Sequence, residues 1–272
     1  MKWKQFFTPV KSIGSHEAKD LLQQNQDVQI IDVRQPGEYQ KAHIAGSKLI
    51  PLATLGDSLD QLDKEKPILV YWAIGGRSRV AAQQLAGHGF SNVVNLKGGI
   101  KAYNGDEAVG PEEQGLELFR DLGSAEEILL TAYSLEEGLQ DFYLKMLNAV
   151  SSSDTRKLFQ KLADIEDIHK NKISDEYFRI TGSSDVSLLE NKVRENILEG
   201  GMSTEEYIKL FSPDLEQEAE VISLAMSIEA QALDLYTRAA RKTDDKENKE
   251  ILNRIAAEEK HHLEQLGGLL DT

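Results

Sequence analysis

Leu162-Ala-Asp-Ile-Glu-Asp-Ile-His169 and Ile255-Ala-Ala-Glu-Glu-Lys-His-His262 are one pattern written twice, 93 residues apart. Each holds a Glu-x-x-His, Glu166 with His169 and Glu259 with His262, and thirty residues before each stands a lone glutamate, Glu136 and Glu229. Positions i and i+3 share a helix face, so the carboxylate and the imidazole can grip the same cation. The register runs further: Ala132, Ser134, Asp141, Tyr143 and Ala163 recur as Ala225, Ser227, Asp234, Tyr236 and Ala256. A second Glu-x-x-His, Glu258 with His261, overlaps the last one, and the common offset selects Glu259 with His262.

Periodicity places these residues inside a core. Leu129, Ala132, Glu136, Leu139, Tyr143 and Met146 follow one another at alternating three- and four-residue steps, the signature of an amphipathic helix. The same holds for Ile222, Ala225, Glu229, Ala232, Tyr236 and Ala239; for Phe159, Leu162, Glu166, His169 and Ile173; and for Leu252, Ile255, Glu259, His262 and Leu266. Four helices thus each carry a carboxylate inward, whereas chance Glu-x-x-His residues on solvated faces would not track the apolar stripe. Unpaired buried carboxylates are costly and repel one another. Two divalent cations balance four of them, and four carboxylates with two imidazoles are what a four-helix bundle uses to hold two metal ions. Hard oxygens with imidazole nitrogens suit iron or manganese better than calcium or a closed zinc site. The expectation is two iron ions per chain, a manganese or mixed pair also being compatible. Tyr143 and Tyr236 lie two turns beyond the lone glutamates on the same face. Either their hydroxyls bond the ligand carboxylates, or they are core aromatics with other partners.

This half resembles the rubrerythrin branch of the ferritin-like superfamily, most closely in Ser-Leu-Glu-Glu-Gly-Leu-Gln-Asp-Phe-Tyr at 134–143 and Glu-Glu-Lys-His-His-Leu at 258–263. The resemblance implies a non-haem di-iron site that reacts with peroxide or dioxygen, with Glu136, Glu166, His169, Glu229, Glu259 and His262 as ligands, and family habit implies a homodimer. Two departures stand out. Rubrerythrins typically carry a further Glu three residues after the third-helix ligand, where this chain has Ala232, and they carry a cysteine-ligated rubredoxin iron, whereas this chain has no cysteine.

The remaining sequence calls for a second fold. A Gly- and Pro-bearing acidic stretch, Asn104 to Gly115, marks a boundary, giving a first domain over 1–108, a linker over 109–124 and the bundle over 125–272. Val28–Val33, Ile68–Trp72 and Asn92–Leu96 read as short β-branched strands with a helix over Ser78–His88, an α/β domain with a parallel sheet and flanking helices. Between the copies, Thr181 to Asp214 forms the long crossover that an all-α ferritin-like bundle requires, with short helices near Val186–Leu198 and Thr204–Phe211.

Ile31-Asp-Val-Arg34, Glu38-Tyr39, His43-Ile-Ala-Gly46 and Asn95-Leu-Lys-Gly-Gly-Ile100 resemble rhodanese domains over nearly the whole first domain. In sulfurtransferases of that family a strand leads into Cys-x-x-Gly-x-Arg, the loop that encircles a cysteine persulfide. Here it reads Trp72-Ala73-Ile74-Gly75-Gly76-Arg77, with Trp72 in the cysteine position. Indole is no thiolate, so there is no catalytic nucleophile and no sulfur transfer is expected. Gly75, Gly76 and the helix start at Arg77 would still make an anion cradle unless Trp72 fills it. Asp32, Arg34 and Glu38 read as residues that hold the fold.

A net charge of −15 argues against nucleic acid as a partner. Residues Met1–Val10 are too polar for a signal sequence and no apolar run has membrane-spanning length, so a cytoplasmic location is expected. A cysteine-free chain cannot relay electrons through its own rubredoxin site. The leading expectation is therefore a di-iron oxidoreductase that reduces peroxide or dioxygen with an external electron-donor protein. The alternatives are ferroxidase or iron-handling chemistry, or a metal- or redox-sensing adaptor whose rhodanese-like module binds a partner.

Overall fold

The computed structural model describes residues 9–25, 27–74, 76–103, 105–119, 123–182 and 201–270, with side chains to 267. The chain divides into two compact units, Met1–Glu112 and Glu113–Thr272.

The first unit runs β1 (Lys11–Ile13), α1 (Ser15–Gln24), β2 (Gln29–Asp32), α2 (Pro36–Tyr39), β3 (His43–Ile44), β4 (Lys48–Leu49), β5 (Ile68–Tyr71), α3 (Gly76–Gly87), β6 (Val93–Leu96) and β7 (Glu107–Ala108). Its main sheet has the order β1-β6-β5-β2-β4, every pairing parallel, and β3 pairs antiparallel with β7. Apolar side chains alternate between two buried layers, because successive residues of a strand face opposite sides. Ile31, Ile68 and Val70 join α3 residues Ala81, Ala82 and Leu85 on one face, while Ile30, Leu69, Tyr71 and Leu96 join Ala18 of α1 on the other. Covered faces are what parallel strands require and why these strands read as continuous apolar runs. At the end of β2, buried Asp32 accepts from Arg34 Nε (2.9 Å) and Nη2 (2.6 Å), and Nη2 also donates to the Ala42 carbonyl at 2.5 Å. Glu38 accepts the Gln35 N–H at the start of α2. These side chains tie loops to the sheet.

The second unit contains α4 (Ala125–Ala149), α5 (Ser153–Thr181), α6 (Thr204–Phe211), α7 (Glu218–Lys242) and α8 (Lys246–Leu270). Helix α4 lies along α5 and α7 along α8. Starts are set by caps: the Ser124, Ser152 and Ser203 hydroxyls accept from the N–H groups of Glu127, Thr155 and Glu206. Gly182, at φ 70°, terminates α5 in the left-handed conformation that glycine adopts without strain. Helix α6 has the bounds expected from sequence, whereas the helix expected near Val186–Leu198 lies outside the described residues. Of the stretch 109–124, read from sequence as linker, Leu116 and Leu118 are buried in the bundle core beside Leu129, Leu235 and Tyr236. Arg238 fixes the same segment: its Nε donates to Asp234 and its Nη1 to the Gln114 carbonyl, each at 2.7 Å. Among the described residues no helix is long and apolar enough to cross a membrane.

Candidate metal centre

Glu136 on α4, Glu166 and His169 on α5, Glu229 on α7, and Glu259 and His262 on α8 are all buried, none more than 5% exposed. They form two triads, Glu136–Glu166–His169 and Glu229–Glu259–His262, in each of which the three donor atoms lie within 4.8 Å of one another. His169 Nδ1 is 2.7 Å from Glu166 and 3.6 Å from Glu136; His262 Nδ1 is 3.1 Å from Glu259 and 3.7 Å from Glu229. The imidazoles stack with centroids 3.4 Å apart and planes within 5°, which brings the triads face to face. Glu258 and His261, the overlapping pair, lie at the surface, where Glu258 is ion-paired with Lys172 and His261 contacts Gln265.

The electrostatics are those of too much negative charge in too little water. Burial pushes the Glu166 carboxyl well above its ordinary value, with repulsion from Glu229 and Glu136 adding to the effect. Burial alone would depress His169, yet its contacts with Glu136 and Glu166 lift the imidazole to about 10. Burial would likewise raise Glu229, but His262, Glu259 and His169 together hold it below the ordinary carboxylate value. Glu136 Oε2, Glu229 Oε2 and His262 Nε2 are buried with no hydrogen bond among the described residues. Leaving such atoms unsatisfied costs roughly 1–3 kcal/mol each. Within each triad the donor atoms converge to within 4.8 Å, a set of lone pairs that a pair of divalent cations would satisfy, so the residues fit a di-metal cofactor.

A cavity of about 70 Å³ reaches this centre. It runs from exposed Lys161 and Gln265 past Leu162, Ile165 and Leu266 to Glu166, Glu229 and His262. Tyr143 is buried against Phe142 and Phe159, and Tyr236 edge-on to Phe119. Ala232, which stands where rubrerythrins typically have the further glutamate, is a fully buried core residue.

Two features escaped sequence reading. Lys170, next to His169 and 8% exposed, donates from Nζ to Glu137 (2.6 Å) and Gln140 (2.5 Å) and lies 5.9 Å from the Tyr133 ring centre. The equivalents 93 residues on are Leu263, Ala230 and Leu233, so this polar cluster exists in one copy only. Comparing the copies for positions that differ together would have found it. The other feature is the cavity, formed by residues of both copies and invisible in either alone.

In the first unit, Trp72 follows β5 and packs, half-buried, against the apolar layer containing Ile31 and Val70. The Arg77 guanidinium lies over the indole, 4.7 Å from its centre. The Trp72 and Ala73 carbonyls accept from Ile100 and Lys101, and Gly99, at φ 60°, passes so close that a Cβ there would sit 2.1 Å from the Trp72 oxygen. Ile74 is 60% exposed, Gly76 begins α3, and Gly75 lies outside the described residues.

A four-helix bundle carrying paired carboxylate–imidazole triads defines a ferritin-like protein. Residues 127–270, more than half of the chain, match the rubrerythrin family, to which the chain belongs. Residues 15–106 match the rhodanese-like domain family, so the protein is a fusion of the two, its rhodanese-like part lacking the catalytic cysteine. The first domain is 38% identical over 103 residues to a chloroplastic Rhodanese-like/PpiC domain-containing protein 12 of Arabidopsis thaliana (35% of this chain, 34% of that one). It is 40% identical over 77 residues to the uncharacterized protein YqhL of Bacillus subtilis (28% and 61%). The chain therefore spans about a third and about three fifths of these relatives. It is 38% identical over 93 residues to the thiosulfate sulfurtransferase GlpE of Coxiella burnetii (34% and 86%). A crystal structure of a rhodanese-like domain protein from Staphylococcus aureus is 35% identical, with 35% of this chain and 92% of that chain covered, at a TM-score of 0.33.

Proposed function

We propose that the bundle is a di-iron oxidoreductase that reduces hydrogen peroxide or dioxygen with electrons from an external donor protein. Glu136, Glu166 and His169 on one side and Glu229, Glu259 and His262 on the other would hold the two ions, with the Tyr143 and Tyr236 hydroxyls steadying the ligand carboxylates. When bound, the iron pair supplies two electrons to an O–O bond and polarises it. The observation that carries the reading is the meeting of unsatisfied buried carboxylates with a cavity sized for a very small molecule.

The chain's residues do the rest. Six candidate ligands on four packed helices have little freedom to rearrange and would hold two ions at positions set in advance. To bind a cation His169 must lose the proton that its glutamates hold, so loading the centre releases protons. Leu162, Ile165 and Leu266 wall the cavity with apolar surface and Lys161 places an ammonium at its mouth. Both features favour a small neutral oxidant over a hydrated ferrous ion, and hence oxidant reduction over ferroxidation. With no cysteine in these 272 residues to carry a rubredoxin-type iron, an external donor protein is the reading of the electron source.

The first domain is read as a binding module. No acidic residue occurs between Glu65 and Asp106, and within that span exposed Ile74 and Val80 stand beside Arg77 and Arg79, a surface suited to a protein partner. Stopped-flow mixing decides the main reading: protein loaded anaerobically with ferrous iron should be reoxidised stoichiometrically by hydrogen peroxide and more slowly by dioxygen. Faster reaction with dioxygen and release of ferric mineral would mean ferroxidase chemistry. Inertness to both, with metal-dependent capture of a partner, would make the protein an adaptor.

A further inference from the structure

The cavity beside the metal centre has a counterpart that the internal repeat defines. Leu162, Ile165 and Glu166 come from the first copy; Glu229, His262, Gln265 and Leu266 come from the second. Exchanging the copies along the 93-residue offset maps the lining onto the opposite side, around Glu259, Glu136 and His169. There the inner walls stay apolar and buried, since Leu162 becomes Ile255 and Leu266 becomes Ile173. At the mouth Lys161 becomes Arg254 and stays cationic, while Gln265 and the adjoining Ile165 change kind, to Lys172 and Glu258.

Those two residues meet. Lys172 Nζ of α5 is ion-paired with Glu258 of α8, bridging the two helices. At the mouth of the cavity Ile165 offers no charge to bridge, and Gln265 turns instead along its own helix to His261 Nε2 at 2.8 Å. The two sides of one pseudo-symmetric centre therefore differ at the residues that could cover it. We infer that small molecules reach the metal centre from one side only, through the opening between Ile165 and Gln265, because the Lys172–Glu258 pair spans the equivalent opening on the other. This rests on the oxidant-reducing reading of the bundle. With its side chains 50% and 44% exposed, the pair adds little to stability, and its effect is steric: it joins α5 to α8 at the positions equivalent to Gln265 and Ile165. Oxidant and product share one passage, and the centre's far side stays dry.

Exchanging the mouths tests this. Ile165→Glu with Gln265→Lys places an ion pair over the open side, and Lys172→Gln with Glu258→Ile removes it from the closed side. Xenon bound to the metal-free full chain, located in pressurised crystals, should occupy one site in the wild type, beside Ile165 and Leu266. That site should vanish in the first variant, and a second should appear beside Ile173 and Ile255 in the other. In iron-loaded protein of equal metal content, the first variant should slow reoxidation by peroxide at least tenfold, while the second reacts at the wild-type rate or faster. Ile165→Trp, which plugs the mouth without needing a new ion pair to form, should slow it likewise. Xenon on both sides of the wild type, or unchanged rates in both blocked variants, overturns one-sided access. A wild type inert to both oxidants that still shows the expected xenon pattern removes the functional reading and leaves the access asymmetry standing.

Discussion

Glu258 and Glu259 are neighbours in sequence, and Glu→Ala at each should have opposite consequences. Glu259 is 1% exposed, with a carboxylate oxygen 3.1 Å from His262 Nδ1. Losing a group that merely orients a metal ligand weakens binding by roughly 10–100-fold. Losing the ligand itself should cost at least the upper end of that range, about 2.8 kcal/mol at about 1.4 kcal/mol per tenfold. Because binding stabilises the fold by mass action, the same energy leaves the metal-linked stability. At about 2–4 °C per kcal/mol for a domain of this size, the metal-induced rise in Tm should shrink by about 6–11 °C. Glu258→Ala instead removes one partner of a half-exposed ion pair worth about 0–1 kcal/mol and should leave the metal content unchanged. The assay is elemental analysis per chain after desalting, with thermal melts with and without ferrous or manganous ion. Full metal in a Glu166→Ala, Glu259→Ala double variant, or loss of metal in Glu258→Ala, would refute the assignment of ligands.

Raising the pH should weaken the metal-free fold and strengthen metal binding. His169 is raised from 6.5 to about 10, so its contribution to stability is complete below about pH 6.5 and disappears as pH climbs through about 10. Glu166, raised by burial, acts in the same direction, and a metal-free Tm that is flat or rising over that window contradicts the pairing. Metal affinity should rise over the same range, because the proton and the ion compete for the imidazole. The wild type should transfer no sulfur from thiosulfate to cyanide; Trp72→Cys should lower the melting temperature of the first unit, because it withdraws an indole packed on Ile31 and Val70 and covered by Arg77. An unchanged melt would mean that the indole contributes nothing to that core.

The bundle was legible because its chemistry and its packing share one period. Each candidate ligand occupies a stripe position that has to be buried, and the second copy of the pattern removes the ambiguity that Glu258 and His261 create. Strands β2, β5 and β6 were legible as short β-branched runs. Strands of two or three residues, β3, β4 and β7 among them, carry no periodicity and arise from tertiary pairing alone. Within 109–124, read as linker after the Gly- and Pro-bearing acidic stretch Asn104 to Gly115, the burial of Leu116 and Leu118 shows only once α4 and α7 are in place to receive them. The Lys170 cluster and the cavity depend on residues brought together from different helices, and no local pattern reports such meetings.

The second unit is, in architectural terms, a dimer of helical hairpins fused into one polypeptide. Two free copies of such a hairpin could assemble the same four glutamates and two histidines, but every substitution would then have to be made twice. Covalent fusion lifts that obligation. Lys170, Glu137 and Gln140 could become a charged cluster in one hairpin while Leu263, Ala230 and Leu233 stayed apolar in the other. Fusion thus permits what strict two-fold symmetry forbids: two candidate metal positions with the same donor residues and different surroundings, each free to be tuned on its own.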